Sequence, residues 1–476
     1  MPIFPRGTSA RRFLKGVALL AIFLCYVFLK KANLSFSTGD QGVYFYAGYL
    51  WSQGVIPYRD FFISHPPIQL LVPTLTILLT GVHLSILQLL PAFFGALSGV
   101  IILLLAWKPL GSLRAILASG LFLLSYGTLL STLYYTGQNL TLLLLLLAIL
   151  LFLKRFKFSS GLVLGIAQSV GIHILFPFIA LSILQWRWGT QGLKKFLGGF
   201  FLSAGILHIV SSIVAGKNFW TMVYLYHLKK PDAPAALSSK FIVMSQMLQG
   251  HFLLVPLALL GCLFLWQERL LLVSGVMCIT YLLYLSLISP IFPHYFAPLM
   301  PFLAILAAEG TYRLFLFLKK LWIQGQRTWV CGGTTLLILL AISASSRTIT
   351  FYSYEQRALA FESAPQVAER IQRELTPDAT LFGDFGVVPT VALLSGRRIA
   401  GNQVDSSVMR FASGLYDLPE IIQAIEEDHV KAILTRKEKD IAYYPPFQEY
   451  LKTHYRLVET YATPGRGVPI ELWLHY

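Results

Sequence analysis

The sequence predicts a polytopic α-helical membrane protein that carries a water-exposed α/β domain at its C-terminal end. The 476-residue chain is 56% hydrophobic and only 13% charged, and its mean hydropathy is +0.65, unlike an ordinary soluble domain. Long apolar runs, such as LSGVIILLLAW and LTLLLLLLAILLFL, need lipid or one another as their solvent. Acidic residues are concentrated near the end, since 17 of the 22 follow residue 346.

The charges of residues 1–346 predict how this part crosses the membrane. It holds 24 Lys and Arg against five acidic residues, and short cytoplasmic loops of membrane proteins retain positive charge. We therefore expect a cytoplasmic N-terminus, about 11 transmembrane helices and an extracytoplasmic C-terminal domain. The first apolar run has no small-residue cleavage site after it, so we expect a retained span. The run 160–185 is interrupted by Gly171 and Pro177 and is expected to form a broken helical hairpin.

Composition and motifs argue against several other classes of protein. The basic residues are scattered over loops and form no single face, which does not favour nucleic acid as a partner. Three of the four cysteines lie inside apolar runs, so neither a disulfide framework nor a metal cluster is indicated. The sequence carries no zinc, P-loop or dinucleotide motif.

Residues 347–476 are predicted to form a soluble extracytoplasmic α/β domain. The patterns TLFGDFG, KAILTR and IELWLHY indicate strands, whereas SAPQVAERIQREL and LPEIIQAIEED indicate helices. A stretch of this length can bury a core of its own. We interpret its polar residues as a solvated surface.

The first external loop, residues 33–67, is the best candidate for chemistry. It contains STGDQGVYFYAGYLWSQGVIPYRDFFISHPP, with Asp40, Arg59, Asp60 and His65. An external sugar transfer needs a carboxylate that deprotonates an acceptor hydroxyl and cations that stabilise a departing lipid phosphate. Two alternatives remain open: Asp40 is a helix N-cap, alone or in addition, and Asp60 only pairs with Arg59.

This loop resembles the first external loop of the GT-C superfamily of glycosyltransferases. In that pattern an Asp follows the first span, and an aromatic helix, a PYRDF-like segment and a basic residue before Pro-Pro come next. The later segment PHYFAPLMPFLAILAAEG, from Pro293, is similar to the family's RYFLPLLPPLALL segment. The resemblance includes the protein O-mannosyltransferases and the lipid A aminoarabinose transferases, and it implies a GT-C-like membrane fold.

The resemblance also implies roles for individual residues. Asp40 matches the family's catalytic base, and Asp60 and His65 match the second half of the same loop. His294 and Tyr295 match a basic-aromatic pair near the lipid phosphate. The second external loop departs from several relatives, because YYTGQN offers no acidic residue. That weakens the case for a carboxylate-bound divalent cation, although Asp40 and Asp60 could still hold one ion.

The function implied by the resemblance is transfer of a hexosyl or pentosyl group, with inversion, from a polyprenyl-phosphate donor. The acceptor would be a lipid, a glycan or a protein of the cell envelope, and the enzyme would lie in the cell membrane. No cofactor is predicted beyond the divalent cation.

The second large external loop, residues 216–247, offers further candidates for substrate contact. Tyr224, His227 and Lys229 could line a path for the donor or the acceptor. The alternative is an amphipathic helix at the interface, with its lysine among the lipid headgroups.

Two other classes of function remain open from the sequence. A transporter or flippase would also be polytopic, with broken helices and polar residues at depth. Its acidic residues would be expected at the midplane, whereas here they concentrate outside. The other alternative is a non-catalytic scaffold with an external interaction domain.

Overall fold

A computed structural model describes residues 8–31, 34, 36–229, 236–289, 291–415, 417–437, 440–462 and 468–476. The part before residue 360 is helical, and its helices are α1 (Thr8–Lys31), α2 (Asp40–Ser52), α3 (Pro67–Thr80), α4 (Leu84–Trp107), α5 (Ser112–Leu123), α6 (Tyr126–Ser131), α7 (Gly137–Leu153), α8 (Lys157–Gln168), α9 (Leu175–Trp188), α10 (Thr190–Ala215), α11 (Lys217–Trp220), α12 (Tyr226–Lys229), α13 (Ala236–Gly250), α14 (Leu254–Cys262), α15 (Arg269–Leu287), α16 (Met300–Ile323) and α17 (Arg327–Leu359). Residues 230–235 of the predicted loop 216–247 lie outside the described residues.

Several of these helices can cross a membrane. Five helical segments are long and apolar enough, and the bent pair Lys240–Gly250 and Leu254–Cys262, which meets at 83°, would be a sixth. The five are Leu84–Trp107, Thr190–Ala215, Arg269–Leu287, Pro293–Ile323 and Arg327–Leu359. Four shorter apolar helices accompany them: Pro67–Thr80, Ser112–Leu123, Gly137–Leu153 and Ile172–Trp188. The protein is therefore a multi-pass membrane protein, while the total of about 11 crossings stays a prediction.

Small residues bring α8 and α10 into close contact. A Cβ atom at Gly161 would lie 2.0 Å from the carbonyl oxygen of Phe196, and one at Gly199 would lie 2.2 Å from that of Phe158. Only glycine leaves room for such a backbone approach, as at many helix crossings in membranes.

The predicted break within residues 160–185 is present. Helix α8 ends at Gln168, a 3₁₀ turn follows at Ile172–Ile174, and α9 begins at Leu175. Pro177 lies in the first turn of α9, where the missing N–H has no intrahelical partner to lose. The interruption therefore comes from the stretch around Gly171, not from the proline.

The last membrane helix continues into the C-terminal part. Helix α17 spans 33 residues, about 50 Å at 1.5 Å per residue, and none of its residues is buried. The predicted domain boundary at residue 346 falls inside this helix. That boundary rests on composition and stays a prediction.

The C-terminal part contains a five-stranded mixed sheet. Its elements are α18 (Ala364–Glu374), β1 (Thr380–Gly383), α19 (Val388–Ser395), β2 (Arg398–Ile399), α20 (Val408–Ala412), α21 (Leu418–Glu427), β3 (Ala432–Arg436), α22 (Pro445–His454), β4 (Tyr455–Tyr461) and β5 (Ile470–His475). The strand order is β2-β1-β3-β5-β4, with β1 parallel to β2 and β3 and with β5 antiparallel to β3 and β4. The three predicted strands and the two predicted helices are present.

The two faces of this sheet belong to different cores. Successive strand residues point to opposite faces. Phe382 and Ile433 pack with Ile421 of α21 and with neighbouring apolar side chains. Leu381 and Leu434 face the other way and belong to the cluster that also contains α2 and the first external loop. The sheet therefore completes the core around α2.

The prediction that the polar residues of this domain form a solvated surface is wrong for several of them. Asp384, Arg397, Asp405 and Arg410 are buried. Each makes hydrogen bonds within the domain, as buried polar groups require.

Candidate active site

Asp40 is the first residue of α2, and the C-terminal part fixes the chain immediately before it. The N–H of Thr38 donates to the carbonyl of Leu359 at 2.8 Å, and that of Gly39 donates to the carbonyl of Gly386 at 3.0 Å. Gly39 occupies the N-cap position with φ of 113°, a conformation that favours glycine. The alternative that Asp40 is the N-cap is therefore wrong by one residue, because Gly39 is the N-cap and Asp40 is the first residue of the helix. A helix N-terminus stabilises a negative charge, which favours the ionised carboxylate of Asp40.

The charge of Asp40 acts electrostatically on four tyrosines. We call them the tyrosine cluster: Tyr44, Tyr134, Tyr226 and Tyr295. Burial raises the pKa of Tyr44 and of Tyr226 above the ordinary value, and the charge of Asp40 raises both further. These phenols therefore stay protonated at neutral pH and can donate hydrogen bonds to a substrate.

Two histidines make hydrogen bonds to the tyrosine cluster. The Oη atom of Tyr44 lies 2.8 Å from Nε2 of His65. The Oη atom of Tyr134 lies 3.1 Å from Nδ1 of His294. The ring of His294 also meets that of Tyr295 edge to face, with centroids 4.7 Å apart. The structure thus brings His65 and His294, two residues predicted from the sequence, into contact with the tyrosine cluster, which contains a third predicted residue, Tyr295.

The second large external loop contacts the first. The ring centroids of His65 and His227 are 6.2 Å apart, and Nε2 of His227 lies 2.9 Å from the carbonyl oxygen of Ser64. The two loops, separated by about 150 residues of helix, therefore form one wall of the site.

The other two candidates from the second loop have different surroundings. Tyr224 makes hydrogen bonds with His208 of α10 and, at 3.2 Å, with the Nε2 atom of Gln168 of α8. Lys229 is exposed at the end of α12. Their predicted roles in substrate contact stay predictions.

Asp60 and Arg59 form an ion pair. The Nε and Nη2 atoms of Arg59 lie 2.8 and 2.9 Å from the two carboxylate oxygens of Asp60. The N–H of Ile56 donates to the same carboxylate at 2.7 Å. The hydrogen bond from Arg59 lowers the pKa of Asp60, so this carboxyl is ionised at neutral pH. The structure thus contains the Arg59–Asp60 pairing that was left open as an alternative; a part for Asp60 in the reaction stays a prediction.

The C-terminal part contributes a segment that the sequence did not identify. Asp405 acts electrostatically on Tyr44 and Tyr226, as Asp40 does. The guanidinium of Arg410 lies 4.1 Å from the centre of the Phe62 ring, and that ring lies 5.5 Å from the ring of Tyr226. Segment 405–410 therefore lies against the first external loop at the tyrosine cluster.

A weak signal for this segment exists in the sequence. NQVDSSVMR lies between predicted elements, and its Asp, Ser and Arg are polar groups in a loop, which is where binding residues are often found. Nothing in the local pattern indicates which loop the sheet will bring to residue 40, about 365 positions earlier.

No protein-family model and no curated protein sequence matches this chain. Solved structures do match. ArnT from Cupriavidus metallidurans bound to undecaprenyl phosphate has a TM-score of 0.68 and 14% identity, over 96% of this chain and 97% of that chain. The Archaeoglobus fulgidus oligosaccharyltransferase has a TM-score of 0.57 and 11% identity, over 89% of this chain and 70% of that chain.

The arabinofuranosyltransferase AftD from Mycobacteria has a TM-score of 0.54 and 12% identity, over 98% of this chain and 40% of that chain. All three are GT-C membrane glycosyltransferases. At these identities the likeness concerns the fold, and it agrees with the fold that the first external loop predicted. This chain has the fold of the GT-C superfamily of membrane glycosyltransferases.

Proposed function

We propose that this protein transfers a sugar from a polyprenyl-phosphate donor to a hydroxyl group of a lipid, glycan or protein acceptor, with Asp40 as the general base. The observation that carries the proposal is the position of Asp40, at the N-terminus of α2, where its charge acts on the four phenols of the tyrosine cluster. The structural neighbours add support, because ArnT was solved with undecaprenyl phosphate and the archaeal AglB with dolichol phosphate. An acceptor peptide was tethered to the archaeal oligosaccharyltransferase.

The reaction requires one proton transfer and one displacement. Asp40 takes the proton of the acceptor hydroxyl while the acceptor oxygen bonds to the anomeric carbon. The bond from that carbon to the phosphate oxygen breaks, and the departing polyprenyl phosphate keeps the electron pair. Attack opposite the leaving group inverts the anomeric centre. The helix N-terminus keeps Asp40 ionised and ready to accept the proton before the acceptor arrives.

The donor phosphate belongs beside His294, Tyr134 and Tyr295. The hydrogen bond between Tyr134 and His294 fixes the imidazole, and the edge of Tyr295 restricts its rotation. An imidazole N–H and phenol O–H groups can donate hydrogen bonds to the phosphate oxygens as negative charge develops there. Arg59 is already bound to Asp60 and is a weaker candidate for this role.

A divalent cation between Asp40 and Asp60 fits these residues poorly. Both carboxylate oxygens of Asp60 already accept hydrogen bonds from Arg59 or Ile56. Hard cations prefer six or more oxygen ligands, and no group of three or more His, Cys, Asp or Glu side chains suited to a metal ion occurs among the described residues. We derive no step through a metal ion.

The substitution Asp40→Asn tests the base. The amide keeps the size of the side chain but cannot take the acceptor's proton, so turnover should fall by about 10²–10⁴-fold. Purified protein would be assayed with undecaprenyl-phosphate-linked pentoses and hexoses, and the released undecaprenyl phosphate would be measured. Asp378→Asn, at an exposed carboxylate of the C-terminal part, is the matched control. A folded Asp40→Asn protein with near-normal turnover would remove Asp40 as the base.

We also propose that the N-terminus is cytoplasmic and that the C-terminal domain lies outside the cytoplasm, in the cell membrane. The excess of Lys and Arg on the loops assigned to the cytoplasm supports this orientation. A reporter fused after Tyr476 should be active only as an extracytoplasmic reporter. A cytoplasmic signal from that fusion would place the Asp40 site on the wrong side for a lipid-linked donor and would end the proposal.

A further inference from the structure

The C-terminal part is docked on the first external loop through backbone and side-chain bonds. Besides the two bonds before Asp40, the N–H of Phe361 donates to the carbonyl of Phe36 at 2.7 Å. The N–H of Ile399 donates to the Oη atom of Tyr46 at 2.9 Å. These contacts fix the sheet relative to α2, so side chains of the C-terminal part have defined positions at the site.

Segment 405–410 is itself held firmly. The hydroxyl of Ser406 donates to the carbonyl of Gly383 at 2.5 Å. An Nη1 atom of Arg410 donates to the carbonyl of Asp405 at 2.7 Å and to the Oε1 atom of Gln403 at 2.8 Å. Arg410 therefore holds the backbone of its own segment in place, and its guanidinium lies over the ring of Phe62.

This arrangement fixes Asp405 between Val404, which packs in the core that contains Tyr44, and Arg410, which lies over the ring of Phe62. One carboxylate oxygen of Asp405 accepts a hydrogen bond of 2.9 Å from the N–H of Ser407. The ring of Phe62 in turn lies 5.5 Å from the ring of Tyr226. Two carboxylates, Asp40 from the membrane part and Asp405 from the C-terminal part, act electrostatically on the same two phenols, Tyr44 and Tyr226.

The chemistry of Asp405 differs from that of Asp40. Asp405 precedes the N-cap of α20, Ser407, by two residues, and its carboxylate accepts from the Ser407 N–H and has further lone pairs that can accept hydrogen bonds. A carboxylate would repel the donor phosphate, so it does not serve the leaving group. Carboxylates that face aromatic rings are well suited to bind the hydroxyl groups of a saccharide, because they accept strong hydrogen bonds.

We propose that Asp405 binds hydroxyl groups of a saccharide at the Asp40 site and thereby helps to determine which sugar the enzyme uses. This inference rests on the proposed function. The saccharide is the sugar of the donor or that of a glycan or glycolipid acceptor, and the two sources share this hydrogen-bonding chemistry. Arg410 acts as a positioning residue, since it holds the Asp405 carbonyl and packs on Phe62.

The substitution Asp405→Asn tests this role without removing the turn, because the amide oxygen can still accept from the Ser407 N–H. We expect KM for one substrate to rise by about 10–100-fold, with a much smaller change in kcat, as expected for loss of a charged hydrogen bond to substrate. A higher KM for the undecaprenyl-phosphate sugar would mean that Asp405 binds the donor sugar. A higher KM for the acceptor would mean that it binds the acceptor. Asp405→Glu should recover part of the loss, which a purely structural role would not predict. Asp378→Asn, at an exposed carboxylate of the C-terminal part, serves as the control.

A binding measurement separates this inference from the proposed function. For a donor contact, Asp405→Ala should weaken binding of an undecaprenyl-phosphate sugar and leave binding of undecaprenyl phosphate without a sugar unchanged. If Asp405→Asn changes neither KM while Asp40→Asn abolishes turnover, the inference falls and the proposed function stands. If wild-type protein binds neither lipid and transfers nothing, the proposed function falls, and the inference falls with it.

Discussion

The backbone N–H of Ile399 donates a hydrogen bond of 2.9 Å to the phenol oxygen of Tyr46, which precedes it by 353 residues. Tyr46 is fully buried in α2, and Ile399 belongs to the short strand β2 at the edge of the sheet. The bond joins the helix that begins at Asp40 to the domain that supplies Asp405. The relative positions of Asp40 and Asp405 therefore depend on the interface between α2 and the C-terminal domain.

The substitution Gly42→Ala tests that interface. A Cβ atom at Gly42 would lie 2.6 Å from Oγ1 and 3.3 Å from the backbone nitrogen of Thr390 in α19. Overpacking of this kind costs about 1–3 kcal/mol, so the apparent Tm and the turnover should both fall. Thr390→Ala should restore part of the loss in the double variant. Gly120→Ala, where no atom lies within 4 Å, is the control and should be neutral or mildly stabilising. An unchanged Gly42→Ala protein would mean that α2 and α19 are not packed this closely.

The substitution His294→Ala tests the proposed contact of His294 with the donor phosphate. We expect the KM for the lipid-phosphate donor to rise by about 10–100-fold and the KM for the acceptor to change little, because a hydrogen bond to the phosphate is lost. Tyr134→Phe should show a weaker form of the same effect, since it removes the phenol that orients the imidazole. His83→Ala, at an exposed histidine, provides the comparison. Unchanged donor kinetics in His294→Ala would remove His294 from the site.

The substitution Glu309→Gln tests a buried charge cluster in the membrane part. Glu309 of α16 is fully buried and pairs at 2.6 Å with both Arg114 of α5 and Arg313 of its own helix. The neutral amide would leave two arginines close together, and breaking such a buried pair costs about 3–5 kcal/mol. The apparent Tm in detergent should fall markedly, whereas Glu268→Gln, at an exposed carboxylate, should leave it nearly unchanged. Equal Tm values for the two variants would show that Glu309 is dispensable.

The substitution Asp440→Asn tests how pH acts on the C-terminal part. Arg436 pairs with Asp384 at 2.9 Å and with Asp440 at 2.8 Å. Burial raises the pKa of Asp440 to about 7, and the charge of Asp384 adds to this, against the opposing effect of Arg436.

Because the folded-state pKa of Asp440 lies above the unfolded value, the folded state binds the proton more tightly. The stabilisation is fully present below about pH 4 and is lost as the pH rises through about 7. The apparent Tm of the wild type should therefore fall more steeply between pH 5 and pH 8, roughly the window set by this shift, than that of Asp440→Asn. Glu449→Gln, at an exposed carboxylate of α22, should keep the wild-type slope. Identical slopes in all three proteins would refute the assignment to Asp440.

Local patterns were sufficient to predict much of the fold. The apolar strand KAILTR lies at the centre of the sheet as β3, where both faces are covered, so its hydrophobic run was informative. Strand β4 was not predicted, because it is an edge strand whose residues are mostly exposed and whose sequence, YRLVETY, lacks a clear alternation. Pro177 illustrates a further limit, since a proline in the first turn does not break a helix.

The candidate site could be predicted only in its membrane half. Asp40 was identified because an acidic residue is rare in residues 1–346 and because the loop around it resembles a known family. Asp405 lies in a domain where acidic residues are common, so its residue type adds little to the weak signal of a polar loop. Its burial at the tyrosine cluster results from the way the sheet packs on α2, and that contact is not encoded in any short stretch of the sequence.

The packing of α2 against the sheet also sets an order of biosynthesis. At roughly 5–20 residues per second, the ribosome needs about 20–70 s to travel the distance from Tyr46 to Ile399. During that interval the sheet that later packs on apolar side chains of α2, such as Val43 and Leu50, has not yet been made. A chain cut short before residue 399 keeps its membrane helices but leaves α2 uncovered. Completion of the polypeptide, and not insertion into the membrane, is therefore the step that finishes the Asp40 site.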